Sequence, residues 1–382
     1  MRPITQEKLD SLTNFMQNNA IDAIFIVDSE TNRDVNMRYL TGHPMDAMLI
    51  ITDSGETCLI PWDMQLAQDH AKADEFFDFK ATDMRWTDVR LAKSFITKSV
   101  KKEHPIFAVN QNIPYRFVND IQKNYPDARI FDKPSEIREI FVKLRATKSE
   151  QELKYLREAA KIGNKTIADI KEFAQQKEGT ETDLSFLVMK KIREYGAEGN
   201  SFPSLVANTD RSHMIHCHPM AGPNKFSKEG LALIDFGASY KGYASDITLP
   251  FAFGELDDEQ YKIRELTIQA YEAAIESIDI GVPLWKISKA ANDVIEDAGY
   301  KMPHSLGHGL GLAVHDAPSV RQKPTDPQDL EDWTEQVVEN GMVFTIEPGV
   351  YVKGKGGQRL ENDVMIRKGK VEVYTKSEPI TI

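Results

Sequence analysis

The sequence predicts an α/β domain over residues 1–145 followed by an α+β domain over residues 146–382. The first indication is length, because 382 residues exceed the size of a typical single domain. The second is the alternation of strand and helix patterns through roughly the first 140 residues. The third is a series of strand-like runs in the second half, joined by short glycine-rich turns, which indicates antiparallel pairing beside helices.

The elements of the first domain are short apolar runs separated by polar turns. Residues 5–20 carry Leu9, Leu12, Phe15 and Met16 at helical spacing, which predicts an amphipathic helix. Strands are predicted at residues 23–27, 47–53, 57–62 and 106–110, the second and third joined as a hairpin at Ser54-Gly55.

No cluster of catalytic residue types occurs in this first domain. His43 is the one residue there that could reach a site, and a structural or surface role is the favoured interpretation for it.

The second domain is predicted to open with a long helix. Ser149 is followed three residues later by Glu152 in a capping-box pattern, and Leu153, Leu156 and Ala160 continue as an apolar stripe. The other predictions are helices at 182–195, 258–278 and 285–298, strands at 231–236, 243–250, 342–352 and 363–369, and an exposed acidic loop or flap at 325–336.

The composition excludes several classes of protein. With 47 basic and 59 acidic residues the formal charge is -12, which argues against a general nucleic-acid surface. Cys58 and Cys217 are the two cysteines, so a disulfide framework is not expected and a reducing compartment fits better. No window approaches the ~20 apolar residues of a membrane helix, and the polar start lacks a signal core. The sequence therefore predicts a cytoplasmic protein without a membrane partner.

Two aspartates flank a predicted hairpin in the second domain. Asp235 and Asp246 lie in the apolar runs LALIDF and YASDITL, and the midpoint between them falls at Tyr240-Lys241. In a hairpin over 231–250 the two carboxylates would face each other. Burying two like charges is costly unless a cation lies between them. The pair therefore predicts a metal site, with turn or cap aspartates as the alternative.

Two glutamates repeat this arrangement near the end of the chain. Glu347 and Glu361 flank the glycine-rich turn at 353–357, whose centre is their midpoint. Arg359 lies two residues before Glu361 and so shares its face in a strand. It could hold a carboxylate in place through a charge-assisted hydrogen bond.

Histidine supplies the remaining ligand type, since six of the nine histidines fall between His213 and His315. His308 lies in the glycine-rich run PHSLGHGLGLAVHD, with His304 before it and His315 after it. One imidazole with four carboxylates favours two divalent ions, Mn²⁺ as first choice, with Co²⁺, Fe²⁺ or Zn²⁺ as alternatives.

In order and spacing these residues resemble the metal ligands of the pita-bread metallopeptidases, which include methionine aminopeptidase, aminopeptidase P and prolidase. The five matching positions are Asp235, Asp246, His308, Glu347 and Glu361. The strings LIDFGASYKGYASDIT, LGHGLGLAVHD, FTIEPGVY and RLEND are similar to the prolidase and aminopeptidase P branch. The resemblance covers essentially the whole chain. It implies a creatinase-type N-terminal domain, a pita-bread catalytic domain, and a homodimer in which the N-terminal domain helps to form the active site.

The same resemblance implies a role for each residue. Asp235 would bind one ion and His308 with Glu347 the other, while Asp246 and Glu361 would bridge them. Glu347 would also shuttle the proton of the attacking water. His315 would stabilise the developing oxyanion or contact the substrate, and His304 would line the pocket.

The upstream loop departs from the family pattern. The family shows a Ser-Gly-x-Asn stretch before a substrate-contacting histidine, whereas this chain has VANTDRSHMIHCHPMAGPN. A spacing of 17 residues to Asp235 favours His218 as the equivalent of that histidine, with His216 as the alternative. His213 and His216 are otherwise expected to be loop residues or to support the site from outside it, and Cys217 is expected to be a bystander.

The predicted function is dinuclear hydrolysis of Xaa-Pro bonds, in dipeptides first. Aminopeptidase P activity on longer peptides remains open, and so does a metal-dependent hydrolase or lyase acting on a non-peptide small molecule, because the altered loop borders the substrate pocket. A non-enzymatic binding module is the third class. Such relatives typically lose metal ligands, and this chain has all five.

Overall fold

The computed structural model describes residues 3–110, 112–331 and 333–382. The chain divides into two compact units, Met1–Arg145 and Ala146–Ile382. None of the helices in these described stretches combines the length and the hydropathy that crossing a membrane requires.

The first unit is built on a six-stranded mixed sheet in the order β4-β3-β2-β1-β5-β6. Its strands are β1 Ala23–Asp28, β2 Ala47–Thr52, β3 Thr57–Pro61, β4 Glu75–Phe76, β5 Ile106–Val109 and β6 Arg129–Ile130. Its helices are α1 Gln6–Asn18, α2 Val35–Thr41, α3 Met64–His70, α4 Lys93–Ser99, α5 Tyr115–Asn124 and α6 Pro134–Ala146, with 3₁₀ turns at Phe79–Ala81 and Val89–Ala92.

The sheet of the first unit follows the apolar pattern of the sequence. Every residue of β1, β2 and β3 is buried, as expected for strands covered on both faces. Strands β2 and β3 pair antiparallel, whereas β1 and β5 pair parallel. The predictions of the first helix, the hairpin and the α/β class are confirmed.

The second unit combines long helices with several small sheets. Its helices are α7 Glu150–Gln176, α8 Glu181–Glu194, α9 Asp258–Glu276, α10 Leu284–Asp297 and α11 Pro327–Glu331. Its strands are β7 Gly199–Asn200, β8 Leu205–Ala207, β9 Gly230–Phe236, β10 Ala238–Tyr240, β11 Tyr243–Ala244, β12 Ile247–Phe253, β13 Gly307–Gly309, β14 Asp316–Val320, β15 Val343–Ile346, β16 Gly349–Val352, β17 Gly356–Arg359, β18 Asn362–Arg367, β19 Lys370–Val373 and β20 Ile380–Thr381. The predicted α+β class is confirmed.

Two pairs of helices cover two apolar cores in this unit. Helices α7 and α8 pack with β8, β9 and β12 in one core. Helices α9 and α10 pack mainly with β15, β16 and β18 in the other. The capping box predicted for the start of α7 is present, since Ser149 accepts from the backbone of Glu152 and Glu152 accepts from Ser149. It begins the helix where the sequence predicts.

Three predictions about the second unit need correction. The strand predicted at 243–250 is two strands, β11 and β12, and the strand predicted at 342–352 is β15 and β16 in separate sheets. Each break falls beside a carboxylate that the sequence singles out, where the chain leaves one ladder for the next. The loop predicted at 325–336 contains the short helix α11, and residue 332 of that stretch lies outside the described residues.

Candidate active site

Strand alternation places Asp235 and Glu347 opposite the neighbouring side chains that enter the apolar cores. On β9, Ile234 and Phe236 enter the core under α7 and α8, so Asp235 between them points to the opposite face. On β15, Phe344 and Ile346 enter the core under α9 and α10. Strand alternation then carries Glu347 to the side away from that core.

The register of the first hairpin differs from the predicted one. Asp235 is opposite Thr248, and the turn lies at Lys241-Gly242, both with positive φ, rather than one residue earlier. Asp246 therefore precedes the residue opposite Asp235 by two positions. Because side chains alternate with a period of two, a shift of two residues preserves the face. The predicted face-to-face pair is wrong in register, and the electrostatic coupling of the two carboxylates remains.

The second hairpin has the predicted register. Ile346 pairs with Asn362 in one sheet and Gly349 pairs with Arg359 in the other. Glu347 and Glu361 thus fall opposite each other where the two ladders meet, as the sequence predicts.

His308 lies in β13 and faces the acidic side chains. Its Nε2 is 3.5 Å from Asp246 Oδ2 and 3.4 Å from Glu347 Oε1. Its Nδ1 is 3.1 Å from the carbonyl of Gly309, a position that assigns the ring proton to Nδ1. Nε2 then presents a lone pair toward two carboxylates. Metal-binding histidines show this arrangement, in which the second ring nitrogen donates to a carbonyl.

The carboxylates disturb one another strongly. Burial, followed by the charges of Glu361 and Asp235, raises the pKa of Asp246 well above its usual value. Burial and then the charge of Glu347 raise the pKa of Glu361 in the same way. Burial raises the pKa of Glu347 to about 8. Burial, with a further contribution from His315, lowers the pKa of His308 to about 4. The protein alone therefore disfavours the ionised carboxylates on which metal binding depends, and favours the neutral imidazole that binds a metal.

These residues fit a divalent cation. Ligand atoms of Asp246, His308 and Glu361 lie within 4.8 Å of one another. Among the described residues no partner lies within hydrogen-bond distance of Asp235 Oδ1 or Asp246 Oδ1, although both atoms are buried. Buried carboxylate oxygens without donors and an imidazole lone pair form a set of acceptors, which a cation satisfies. The mixture of oxygen and nitrogen donors suits Mn²⁺, Fe²⁺, Co²⁺ or Zn²⁺.

Arg359 is a buried side chain that donates hydrogen bonds to the acidic cluster and to residues beside it. Its side chain is 2% exposed, and its Nη2 donates to Asp235 Oδ2 at 2.5 Å. Nε donates to Thr248 Oγ1 at 3.0 Å, and Nη1 donates to the hydroxyl of Tyr351 at 3.0 Å. A planar guanidinium can make these bonds together, whereas an ammonium cannot. The contact with Asp235 is of the type that the sequence predicts for Arg359.

Two threonines beside the ligands are functional candidates that the sequence analysis missed. Thr248 Oγ1 donates to Glu361 Oε2 at 2.6 Å while accepting from Arg359. Thr345 Oγ1 accepts from the His308 amide at 3.1 Å and lies 3.3 Å from Glu347 Oε1 as a donor. Each is two residues from a carboxylate along a strand, and this spacing is the signal that could have identified them.

Tyr351 is a third missed residue, and it joins two predicted ones. Its hydroxyl lies 3.0 Å from His304 Nε2 as well as from Arg359. Burial lowers the pKa of His304 to about 4, so the ring is neutral at physiological pH. The ring of His315 lies 4.2 Å from that of His308, centroid to centroid. His304 and His315 are therefore both within the cluster.

The two candidates for the upstream histidine, His216 and His218, are both exposed. Burial, then electrostatic interactions with Arg359 and His216, lower the pKa of His304, and burial, then the interaction with His216, lowers the pKa of His315. His218 is not among the groups that act on either ring. The predicted preference for His218 depends on a spacing counted through the loop between Pro219 and Gly230. Loop lengths vary freely, which makes such a spacing a weak guide to position.

His43 lies in the interior of the first unit. Its side chain is fully buried, and its two ring nitrogens have no hydrogen-bond partner in the described part of the chain. Burial lowers its pKa, so the ring is neutral at physiological pH.

Known proteins are similar to this chain over almost its whole length. Residues 154–368 match the model of metallopeptidase family M24, and residues 8–146 match that of the creatinase/prolidase N-terminal domain. The chain is 30% identical to an Xaa-Pro dipeptidase of Pyrococcus horikoshii over 98% of both sequences. It resembles the structure of an Xaa-Pro dipeptidase from Bacillus anthracis, with a TM-score of 0.81 and 26% identity over 98% of this chain and 99% of that one. It also resembles an X-Pro aminopeptidase from Thermotoga maritima, with a TM-score of 0.78 and 25% identity over 95% and 98%.

Proposed function

Because this chain belongs to metallopeptidase family M24, we propose that it hydrolyses Xaa-Pro dipeptides with the help of two divalent metal ions. Membership of the family implies divalent metal ions. The observation that carries the proposal is the convergence of His308 Nε2 with Asp246 Oδ2 and Glu347 Oε1, three acceptor atoms with distances of 3.5 and 3.4 Å from the imidazole. The similarity to Xaa-Pro dipeptidases over 98% of the chain supports the substrate class.

The metal ions would be held by Asp235, Asp246, His308, Glu347 and Glu361. Bound there, they would supply Lewis-acid activation of water and of the scissile carbonyl. Mn²⁺ is the first candidate.

The chain's own groups would position the substrate and move protons. Burial raises the pKa of Glu347 to about 8, which suits a group that accepts and returns a proton near neutral pH. His315 and His304, both neutral, would contact the substrate, with Tyr351 holding the His304 ring. Arg359 would hold Asp235 in the orientation in which it binds metal.

We assign His216, in place of His218, as the upstream histidine that contacts the substrate. His216→Ala is expected to lower kcat/KM for an Xaa-Pro dipeptide by about 10²-fold, the magnitude typical of a positioned acid or base. His218→Ala is expected to change kcat/KM by less than about threefold. Steady-state kinetics of the two metal-loaded variants make the comparison. A larger loss in His218→Ala than in His216→Ala would reverse the assignment.

The function is tested by the release of free proline from a panel of Xaa-Pro dipeptides, with added Mn²⁺ and with a chelator. Metal-dependent cleavage of the dipeptides is the expected result. An Xaa-Pro-Yaa tripeptide tests the alternative, which the similarity to the Thermotoga maritima X-Pro aminopeptidase favours. Preferential release of its first residue would indicate aminopeptidase P activity. Cleavage of neither peptide by a protein that binds two metal ions would point to a non-peptide substrate.

The proposal includes a homodimer in the cytoplasm. The dimer follows from the family resemblance, in which the N-terminal domain helps to form an active site. Cys58 and Cys217 are both buried and free, which fits a reducing compartment. Sedimentation equilibrium of the full chain would decide the oligomeric state.

A further inference from the structure

A buried carboxylate at the start of α8 lies outside the acidic cluster of the active site. The Glu181 side chain is fully buried. Its Oε1 accepts from the backbone amide of Asn208 at 2.9 Å, and its Oε2 accepts from the backbone amide of Gly222 at 2.8 Å. Residues 208–222, which we call the histidine loop, are thus held at both ends by one side chain.

Arg211 extends this contact across the loop. Its Nη1 donates to Glu181 Oε2 at 2.5 Å, and its Nη2 donates to the carbonyl of Pro219. Its side chain is 11% exposed. A side chain at Gly222 would collide with Arg211, so the glycine leaves room for this ion pair. The segment between Arg211 and Pro219 contains His216.

The histidine loop is also attached to β9, which carries Asp235, and to β17, which carries Arg359. Ser212 Oγ donates to the carbonyl of Leu231 on β9 and accepts from the amide of Gly357 on β17. The carbonyl of Ile215 accepts from Arg359 at 3.3 Å. Because Ile215 adjoins His216, a displacement of the loop changes where the imidazole lies relative to Arg359.

We propose that Glu181 is a positioning residue that, through Arg211, clamps the histidine loop and sets the position of His216 against the substrate. The proposal rests on the function proposed above, because it takes His216 as a substrate contact. In a purely structural role, loss of the Glu181 charge would lower activity by the same factor whether or not the His216 side chain is present. In the proposed role, the loss of activity depends on the His216 side chain.

Because the Glu181 side chain is buried, the hydrogen bonds that hold the histidine loop depend on its charge as well as its shape. An ionised carboxylate that accepts two backbone amides and a guanidinium makes charge-assisted bonds, which a neutral amide only partly replaces. Glu181→Gln keeps the shape and removes the charge. Groups that orient a reacting residue typically change activity by about 10–100-fold when they are lost.

The test is a double-mutant cycle measured on the metal-loaded full chain with an Xaa-Pro dipeptide. Glu181→Gln is made alone and together with His216→Ala. We expect Glu181→Gln to lower kcat/KM at least about tenfold in the otherwise unchanged protein and less than about twofold when His216 is already alanine. Metal content should equal that of the unchanged protein in both backgrounds. Equal factors in the two backgrounds, or no loss in the first, would overturn the proposal.

Glu152→Gln is the matched control. Glu152 is also a buried carboxylate in the first turn of a helix, and it accepts from the amide of Ser149 and from the hydroxyl of Tyr243. Its replacement is expected to affect stability, with the same factor in kcat/KM in both backgrounds. If Glu181→Gln does not fold, Arg211→Lys serves instead, since it keeps the charge but cannot span Glu181 and Pro219 together.

Amide hydrogen exchange separates a failure of this proposal from a failure of the proposed function. Faster exchange across the histidine loop in Glu181→Gln, with α7 unchanged, is the expected result. Unaltered exchange in the loop would contradict the clamp whatever the enzyme hydrolyses. If the unchanged protein cleaves no Xaa-Pro substrate, the function is wrong, and loop exchange still decides whether Glu181 holds the loop.

Discussion

Asp246→Asn is expected to lower kcat/KM for Xaa-Pro dipeptides by about 10³-fold or more and to remove the bound metal. The loss of an outer partner of a metal ligand costs about 10–100-fold, and Asp246 is itself in the group that could hold an ion. The substitution keeps the volume and exchanges a charged oxygen for an amide. Metal content by mass spectrometry and proline release, measured on the same preparation, would give both results.

In the metal-free protein, the same substitution should raise the stability of the fold. Burial and the neighbouring carboxylates raise the pKa of Asp246, so the folded state binds its proton more tightly than the unfolded state does. The associated stability is complete below the unfolded pKa of about 4 and is lost as the pH rises toward the raised folded value. Because asparagine does not ionise, the substitution removes this loss of stability at neutral pH.

We therefore expect metal-free Asp246→Asn to unfold at a higher temperature than the metal-free unchanged protein, and to gain less from added metal. Asp293→Asn, at an exposed position paired with Lys289, is the control for a change of one charge. Full activity and normal metal content in Asp246→Asn would exclude the dinuclear site.

Arg359→Met is expected to destabilise the second unit by about 3–5 kcal/mol, the cost of leaving a buried ion pair with one partner. Arg359 is 2% exposed and supports Asp235, Thr248 and Tyr351 together. Without it Asp235 loses its donor and the repulsion among the carboxylates increases. Hydrogen exchange of the amides in β9 and β17 would measure the loss as a lower free energy of opening.

One further variant separates charge from geometry at this position, and a variant at another arginine serves as the control. Arg359→Lys keeps the charge but not the planar fork, so we expect a smaller loss of stability and about 10–100-fold lower activity. Arg264→Met removes a half-buried arginine that bonds the carbonyl of Ile380 and the Thr381 hydroxyl and contacts no carboxylate of the site. Its effect should stay within about 1–2 kcal/mol. An Arg359→Met protein as stable and as active as the Arg264→Met protein would contradict the central role of Arg359.

The sequence predicts best the parts of the site whose residues are joined by a short turn. The turn at 353–357 is short and glycine-rich, so the midpoint of Glu347 and Glu361 is also the midpoint of the hairpin. In the earlier hairpin the turn is Lys241-Gly242, and the positive φ of Lys241 is not evident from its residue type. A displacement of one residue in the turn moves every pairing by two, which explains why Asp235 faces Thr248.

Contacts between distant segments are the part that spacing does not predict. Arg359 reaches Asp235, which is 124 residues away in the chain, and the carbonyl of Ile215, which is 144 away. The choice between His216 and His218 depends on how Glu181 and Arg211 fold the histidine loop. No periodicity in the sequence encodes that ion pair, so the proposal of His216 draws on contacts that only the structure shows.

The two apolar cores of the second unit have a consequence for cooperativity. Asp235 extends from a strand that packs under α7 and α8, whereas Glu347 follows a strand that packs under α9 and α10. Leu231 of the strand that carries Asp235 also joins the second core, so the acidic residues repel one another where the two cores meet. A cation held by ligands from both sides would act as a cross-link, and its binding free energy would add to the cohesion between the cores. Metal binding would then raise the cooperativity of unfolding as well as the stability.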